Sequence, residues 1–467
     1  MDRTLAADLA RLPDLLDATR RAAADALATL DARPVVPPAG KPHDPEPLPE
    51  HGTGTEEALA AFQDRWAPRL SASAGPRYLG FVTGGATPAA LAGDWLTAAH
   101  DQNSNSALDG AGQDLERETV GWLRELFHLS AAHTGTFVSG ATMSNTTGLA
   151  IAREWLGERL GVSPAQDGAA ALGPVRVLSG APHASIGKAL SVLGLGRRSL
   201  VPVPTLPGRE AVDPAALERA LADTPGPAVV VANAGTVNTV DFDDLRAVAA
   251  LKERHDFWLH TDAAFGAFAA LSPDHAHLAD GLDASDSLCV DLHKWLNVPY
   301  DSAVQFTRRR DLQARVFQAR VFQEGAAYLG PLGEHPDLVH LTPENSHRLR
   351  ALAAWFTLRA YGRQGHREIV ERDIACARAL GERLSRDPAL TLLAPVRLNV
   401  VCFTLADGPT PARLTALREA VAAEVFVTPT VYGGTPALRA AFSNWRTTRA
   451  DVDRVAQALG TAAKEIA

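Results

Sequence analysis

From about residue 76 onward, short apolar runs alternate with helical stretches, and this alternation limits the possible folds more than any other feature of the chain. Strands are predicted over residues 175–178, 228–232, 258–261, 287–291 and 302–307, and helices over 144–160, 185–193, 214–222 and 243–255. Strands separated by helices form a mostly parallel sheet that is covered on both faces. Since ligands of such sheets bind at the carboxyl ends of the strands, we expect the functional residues there.

The two ends of the chain form separate regions. Residues 4–31 are rich in Leu and Ala and are predicted to be helical, with Pro13 dividing the helix. Seven prolines between Arg33 and Pro49 indicate a linker, and a further helix is predicted over 55–70. A long helix predicted over 346–361 leads into a last region with more helices and an apolar run. We therefore expect a helical arm and linker (1–75) that packs on a partner subunit, a large domain (76–350) and a smaller C-terminal α/β domain (351–467).

The composition excludes several classes of function. A net charge of −9 provides no basic surface for a nucleic acid. The three cysteines, Cys289, Cys376 and Cys402, lie too far apart in the sequence for a disulfide framework or a four-ligand metal site, so no metal is expected. The N-terminus lacks an apolar signal core, and no stretch approaches the roughly 18 apolar residues of a membrane helix. We expect a cytoplasmic protein.

Lysine is rare in this chain, with five residues against forty arginines. One of the five, Lys294, follows an apolar run and His293. Arginine stays protonated, whereas a lysine amine can lose its proton and attack a carbonyl group to form a Schiff base. A lone lysine at a strand end is more often an ordinary surface residue, so the neighbouring motifs decide between the two interpretations.

Three further motifs fall in loops or at the ends of predicted strands. Ala141 and Thr142 precede a helix, where small residues and free N–H groups bind an anion, although an ordinary helix cap has the same pattern. His183 follows a strand and could stack on an aromatic ring. Asp262 ends an apolar strand and would either cap a helix or keep a pyridine nitrogen protonated. Together with Lys294, these motifs predict a pyridoxal 5′-phosphate site.

These motifs resemble those of the group II pyridoxal-phosphate decarboxylases, a fold type I family that includes aromatic-L-amino-acid, glutamate and histidine decarboxylases. Residues 292–296, Leu-His-Lys-Trp-Leu, resemble the family's Pro-His-Lys-Trp-Leu sequence. Residues 260–265, His-Thr-Asp-Ala-Ala-Phe, resemble its His-Val-Asp-Ala-Ala-Tyr sequence, and residues 348–356 resemble one of its helices. The resemblance extends from about residue 76 to 449. It implies a fold type I, PLP-dependent transferase-like α/β fold whose large domain contains a mostly parallel seven-stranded sheet.

The resemblance also implies a role for each matching residue. Lys294 would hold the cofactor as a Schiff base, Asp262 would pair with its pyridinium nitrogen, and His183 would stack on its ring. The remaining residues implied in cofactor binding are Ala141, Thr142, Thr236, Ala264 and His293, and those implied in substrate binding are Phe81 and Thr83. Tyr328 would return a proton to the substrate carbon from a mobile loop.

The reaction implied by the resemblance is loss of the α-carboxylate of an L-amino acid to give an amine and CO2, in a homodimer with its active site between the subunits. The same cofactor motifs would serve transamination, aldol-type cleavage or decarboxylation coupled to oxidation equally well. They are also compatible with a catalytically inactive scaffold that only binds the cofactor. Asp291 and Leu292 replace the family's usual Asn-Pro, and Phe81 is the clearest aromatic residue near Pro88. A bulky aromatic substrate therefore does not follow from the resemblance.

Overall fold

The computed structural model describes most of the chain, namely residues 1–38, 40, 44–104, 110–317 and 336–466. Within these residues, the protein consists of an N-terminal helical arm, a seven-stranded sheet with helices on its faces, and a four-stranded sheet nearer the C-terminus. No helix in the described part of the chain is long and apolar enough to cross a membrane.

The N-terminal arm contains three helices, α1 (Arg3–Ala10), α2 (Leu12–Ala28) and α3 (Thr55–Arg65). The break between α1 and α2 falls at Arg11 rather than at Pro13, which lies in the first turn of α2. Proline is tolerated there because the first N–H groups of a helix have no acceptor within the helix.

The seven-stranded sheet is built from β1 (Thr134–Val138), β2 (Val177–Ser179), β3 (Leu200–Pro202), β4 (Ala228–Asn233), β5 (Phe257–Asp262), β6 (Ser287–Asp291) and β7 (Ala303–Thr307). The spatial order is β1-β7-β6-β5-β4-β2-β3. Strand β7 runs antiparallel to both of its neighbours, whereas the pairs from β6 through β5, β4 and β2 to β3 are parallel. The mostly parallel seven-stranded sheet predicted from the sequence is therefore confirmed.

Both faces of this sheet are covered. In β4, Val229 and Val231 pack into one hydrophobic core, whereas Val230 and Ala232 pack into another on the opposite face. A strand buried on both faces needs apolar residues at every position, which explains the run Ala-Val-Val-Val-Ala. The helices of this region are α4 (Pro88–His100), α5 (Gly112–Leu126), α6 (Ala141–Leu160), α7 (Pro164–Asp167), α8 (Ala184–Val192), α9 (Pro214–Ala222), α10 (Leu245–Ala250), α11 (Leu292–Trp295) and α12 (Arg310–Phe317).

The C-terminal region begins with the long helix α13 (Ala351–Leu384), which is interrupted at Gly362, where φ is 59°. Glycine suits this position because it adopts left-handed backbone angles without a steric penalty. An antiparallel sheet follows in the order β10-β11-β9-β8. Its strands and the remaining helices are β8 (Leu390–Leu392), β9 (Val400–Leu405), α14 (Pro411–Ala420), β10 (Thr428–Tyr432), β11 (Thr435–Ala441) and α15 (Arg449–Ile466). The domain boundaries at residues 75 and 350 stay a prediction.

A segment from the start of the large region is attached to this C-terminal region. The ring of Tyr78 stacks on Phe426 with a centroid distance of 4.6 Å, and the Leu79 N–H donates to the Phe426 carbonyl at 2.9 Å. The Leu79 side chain is buried in the C-terminal hydrophobic core. Phe81, whose ring lies 5.5 Å from that of Phe426, is thus positioned from the C-terminal side.

Candidate active site

A cavity of about 330 Å³ lies where β4, β5 and β6 end. The last residues of these strands, Asn233, Asp262 and Asp291, all line it. The cavity also brings together most of the residues predicted from the sequence: Phe81, Ala141, Thr142, His183, Thr236, Ala264, His293 and Lys294. Thr83 is not part of the lining, and Tyr328 lies outside the described residues.

Lys294 reaches the cavity from α11, the short helix that follows β6 directly. Its Nζ lies 3.7 Å from Asp291 Oδ2 and 5.3 Å from the centroid of the Phe265 ring. The side chain is only 16 % exposed, so its amine meets little bulk water. Lys294 thus contributes a largely buried amine to the lining of the cavity.

The other side of Asp291 contacts His293, whose Nδ1 lies 2.9 Å from Asp291 Oδ1. The His293 ring packs against Tyr300 with a centroid distance of 4.1 Å. The Tyr300 hydroxyl is 2.9 Å from Thr83 Oγ1, so Thr83 is connected to the cavity through Tyr300. Tyr300 was missed by the sequence analysis because it follows the Leu-His-Lys-Trp-Leu run without a motif of its own.

Asp262 is buried at the end of β5, with 7 % of its surface exposed. Its Oδ2 accepts a hydrogen bond from Asn145 Nδ2 at 2.9 Å, and its Oδ1 accepts one from the Ala264 N–H at 3.2 Å. Both donors are neutral. The carboxylate is therefore oriented by hydrogen bonds and directed into the cavity.

His183 lines the same cavity from the N-terminus of α8, close enough for the charge of Asp262 to act on its imidazole. Its Nδ1 accepts from the Ser185 N–H at 3.2 Å and lies 2.8 Å from Ser185 Oγ. The side chain stays exposed, but desolvation of the imidazole still lowers its pKa. A neutral ring at this position is suited to stacking on a flat ligand.

The N-terminus of α6 forms another wall of the cavity. Its first helical hydrogen bond runs from the Ser144 N–H to the Gly140 carbonyl, so the N–H groups of Ala141, Thr142 and Met143 have no acceptor within the helix. No side chain of the described residues caps this helix end. Free N–H groups and the helix dipole favour an anion here, and α6 is long enough, at 20 residues, to support that effect.

Arg439 is a second residue that the sequence analysis did not assign to the site. It lies on β11, lines the cavity and is 9 % exposed. Its Nη1 donates to the Val237 carbonyl, and burial lowers the pKa of its guanidinium. The sequence contained one signal for Arg439. Its neighbour Leu438 is apolar and neighbouring side chains on a strand point to opposite faces, so the Arg439 side chain is expected to point away from the core that buries Leu438. Arg439 therefore adds a cation from the C-terminal sheet to the lining of the cavity.

The donor set fits pyridoxal 5′-phosphate. The amine of Lys294 matches its aldehyde, and the carboxylate of Asp262 matches its ring nitrogen. The uncapped start of α6 matches its phosphate, and neutral His183 matches the face of its ring. Ala264, which is small and lines the cavity, leaves room for a flat ring.

Comparison with known proteins agrees with this interpretation. Residues 37–406 match the model of the pyridoxal-dependent decarboxylase conserved domain. The chain is 28 % identical to the aromatic-L-amino-acid decarboxylase of Bacillus atrophaeus over 371 residues, which cover 77 % of this chain and 73 % of that protein. It is 28 % identical to the L-2,4-diaminobutyrate decarboxylase of Rhizobium meliloti over 441 residues, or 91 % of this chain and 85 % of that one.

The fold is also that of solved structures. The crystal structure of Oryza sativa TDC with PLP and tryptamine superposes with a TM-score of 0.89 and 22 % sequence identity, covering 97 % of this chain and 98 % of that one. This likeness concerns the fold and confirms the expected fold type I architecture. On the family match, the chain belongs to the pyridoxal-dependent decarboxylases, carboxy-lyases of amino acids whose cofactor is pyridoxal 5′-phosphate.

Proposed function

We propose that the protein removes the α-carboxylate of an L-amino acid to give an amine and CO2. The observation that carries this proposal is that the Lys294 amine, the Asp262 carboxylate and the His183 ring line one cavity. The N-terminus of α6 lines the same cavity. These groups come from separate elements, so their meeting is a property of the fold and not of a local motif.

The residues of the cavity then have the following roles. Lys294 would hold the cofactor at its aldehyde carbon through its amine, and Asp262 would keep the ring nitrogen protonated. His183 would stack on the ring, and Ala141 and Thr142 would bind the phosphate with their backbone N–H groups. Thr236, Ala264 and His293 would complete the cofactor contacts. When bound, the cofactor supplies the electron sink for the bond that breaks, and the protein orients that bond.

The substrate side is formed by residues from other segments. Phe81 lines the cavity and is 59 % exposed. The Thr83 hydroxyl forms a hydrogen bond with the Tyr300 hydroxyl and is not part of the cavity lining. Arg439 supplies a buried guanidinium that suits a substrate carboxylate, because guanidinium and carboxylate groups form charge-assisted hydrogen bonds. Tyr328 is retained as the residue that returns a proton to the substrate carbon. An unchanged rate of amine formation by Tyr328→Phe would exclude that role.

We further propose a homodimer in which the N-terminal arm packs on the second subunit. Leu5, Leu9, Leu12 and Leu16 are between 47 % and 62 % exposed, although they recur at helical spacing on α1 and α2. An exposed apolar stripe of this kind is a typical association surface. Sedimentation of the wild type and of the double variant Leu9→Glu, Leu16→Glu tests this proposal. A monomeric wild type would contradict it.

The reaction is tested by incubating the purified protein and pyridoxal phosphate with a pool of L-amino acids and identifying the products by mass spectrometry. We expect an amine from at least one amino acid and none from Lys294→Arg, which keeps the positive charge but not the reactive amine. An aldehyde or a keto acid as the main product would replace this proposal by oxidation-coupled decarboxylation or transamination.

A further inference from the structure

We propose that Asn145 and His260 are positioning residues that orient the Asp262 carboxylate through a chain of hydrogen bonds between uncharged groups, all of which donate toward it. The inference rests on the proposed function, in which Asp262 is the partner of the cofactor ring nitrogen. Neither Asn145 nor His260 lines the cavity, so both would act through other residues.

The residues of this hydrogen-bond chain are held in place by the large sheet and α6. Trp258, His260 and Asp262 alternate along β5, so their side chains point to the same face. Ser287 of β6 lies directly opposite His260 in the parallel register. Helix α6 covers this face closely at Gly148, where a Cβ atom would lie 2.5 Å from His260 Cε1. Glycine is needed there, because any larger residue would push α6 away from His260.

The direction of the hydrogen bonds follows from Asp262. A carboxylate can only accept, so the NH2 group of Asn145 faces Asp262 Oδ2 at 2.9 Å. The Asn145 Oδ1 atom then faces His260 Nε2 at 2.9 Å and must accept, which places the imidazole proton on Nε2. The amide of Asn145 is completely buried, so its orientation is set by these partners and not by water.

The remaining bonds have the same direction. His260 Nδ1 carries no proton and accepts from Ser287 Oγ at 2.8 Å. Ser287 Oγ in turn accepts from the indole N–H of Trp258 at 2.9 Å. Burial lowers the pKa of His260 to about 4, so the imidazole is neutral near pH 7. Four successive hydrogen bonds therefore donate toward Asp262 without bringing a positive charge to it.

Neutral donors suit the task of Asp262. An arginine or lysine in place of Asn145 would stabilise the carboxylate but would also compete with the ring nitrogen for its charge. The second N–H of Asn145 donates to Ser185 Oγ at 3.0 Å, and Ser185 contacts His183 Nδ1. One buried amide thus positions both the acid and the stacking histidine.

The test compares Asn145→Leu and His260→Phe with the wild type by titrating each protein with pyridoxal phosphate. Two readouts are recorded, the dissociation constant and the pH dependence of the absorbance of the bound cofactor. His366→Phe is the matched control, because His366 is equally buried, its pKa is also lowered to about 4, and it does not line the cavity. Ser287→Ala, which removes the donor to His260 Nδ1, replaces His260→Phe if that variant does not fold.

We expect Asn145→Leu to weaken cofactor binding about tenfold, because a hydrogen bond to a charged group is lost, and to shift the pH dependence of the absorbance. His260→Phe should act in the same direction by about threefold, and His366→Phe should change neither readout. In an Asp262→Ala background, the effect of Asn145→Leu should fall below about twofold, because the two residues act together.

Two outcomes would overturn the inference. One is wild-type binding and an unchanged pH dependence in Asn145→Leu. The other is an effect of Asn145→Leu that persists in the Asp262→Ala background, which would assign the amide to Ser185 and His183 alone. Amine formation by the same wild-type preparation reports on the proposed function independently. If no amine forms while the binding pattern holds, decarboxylation fails and the positioning chain stands.

Discussion

Two aspartates end neighbouring strands of the same sheet, yet their surroundings differ. Asp262 at the end of β5 accepts hydrogen bonds from a side-chain amide and a backbone N–H. Asp291 at the end of β6 faces the ring nitrogen of His293 and the amine of Lys294. Both are nearly buried, with 7 % and 2 % of their surfaces exposed. Residue type and strand position are the same, so the difference lies in what the neighbouring elements supply.

The difference separates two tasks within one cavity. A carboxylate that accepts hydrogen bonds only from neutral donors can still pair with a positive charge on a ligand. A carboxylate beside potential cations of the protein pairs with those cations instead. We therefore expect Asp262 to act on the cofactor, and Asp291 to orient the residues that bind it. Substitutions on the two sides should have different consequences.

The largest effect is expected for Lys294→Arg on the Asp291 side. The variant keeps a positive charge opposite Asp291 but cannot bind an aldehyde carbon covalently. Amine formation should fall by on the order of 10³-fold or more, and the absorbance of the wild-type protein above about 400 nm with pyridoxal phosphate should be lost. Lys252→Arg, at a lysine paired with Asp286 outside the cavity lining, serves as control. Retention of the absorbance band in Lys294→Arg would remove this lysine from its proposed role.

A direct comparison of the two acids comes next. We expect Asp262→Asn to lower kcat by about 10²- to 10³-fold, because an electrostatic contact to the reacting system is lost. Asp291→Asn should lower kcat by only about tenfold, because it acts through His293 and Lys294. Steady-state kinetics on the identified amino acid provide the measurement. A larger effect for Asp291→Asn would reverse the assignment of the two carboxylates.

The buried, neutral His260 in the hydrogen-bond chain to Asp262 also predicts a pH dependence of stability. The pKa of His260 in the folded protein, about 4, lies below its ordinary value of 6.5. Between these values the unfolded chain binds more protons than the folded one, so the free energy of unfolding falls as the pH drops from about 6.5 to about 4. Over this pH range, His260 lowers the free energy of unfolding by on the order of 3 kcal/mol.

Denaturant unfolding of wild type and His260→Phe between pH 4 and about 7 measures this contribution as a difference in slope. The difference is needed because Glu116, whose pKa burial raises to about 7, changes stability in the opposite direction over part of this range. A slope in His260→Phe as steep as that of the wild type would show that His260 does not supply this term.

The smallest effect is expected at the rim on the Asp291 side. Tyr300→Phe keeps the ring against His293 but removes the bond to the Thr83 hydroxyl. We expect a change of about threefold in KM and little change in kcat, since a partly exposed neutral hydrogen bond contributes about 1 kcal/mol at most. Thr83→Val should match it, and the double variant should not exceed either single one. Additive effects would show that the two hydroxyl groups act separately.

The sequence identified one layer of this site and missed another. Asp262 and Lys294 could be found because each follows an apolar run, and the carboxyl ends of parallel strands meet at one edge. Strand β6 was predicted with its observed bounds. Strand β1 was missed, because Thr134–Val138 contains a glycine and two threonines and pairs with β7 far along the chain.

The hydrogen-bond chain could not be predicted for a related reason. Asn145, His260 and Ser287 come from a helix and two strands, and their distances depend on strand register and on the close approach at Gly148. Arg439 depends on how the C-terminal sheet meets the large one. Local patterns carry no information on these arrangements, which only tertiary packing determines.

The attachment of residues 78–81 to the C-terminal region has a consequence for engineering. The side chains proposed to bind the cofactor lie near the ends of β4 and β5, at the N-termini of α6 and α8 and in α11, whereas Phe81 and Arg439 are anchored through Phe426 and β11. With these proposed roles, we expect amino-acid preference to depend mainly on the C-terminal region and the segment attached to it, and cofactor binding to depend on the large sheet and its helices. A chimera that exchanges the C-terminal region together with residues 76–88 as one piece should inherit a new substrate while keeping its cofactor affinity.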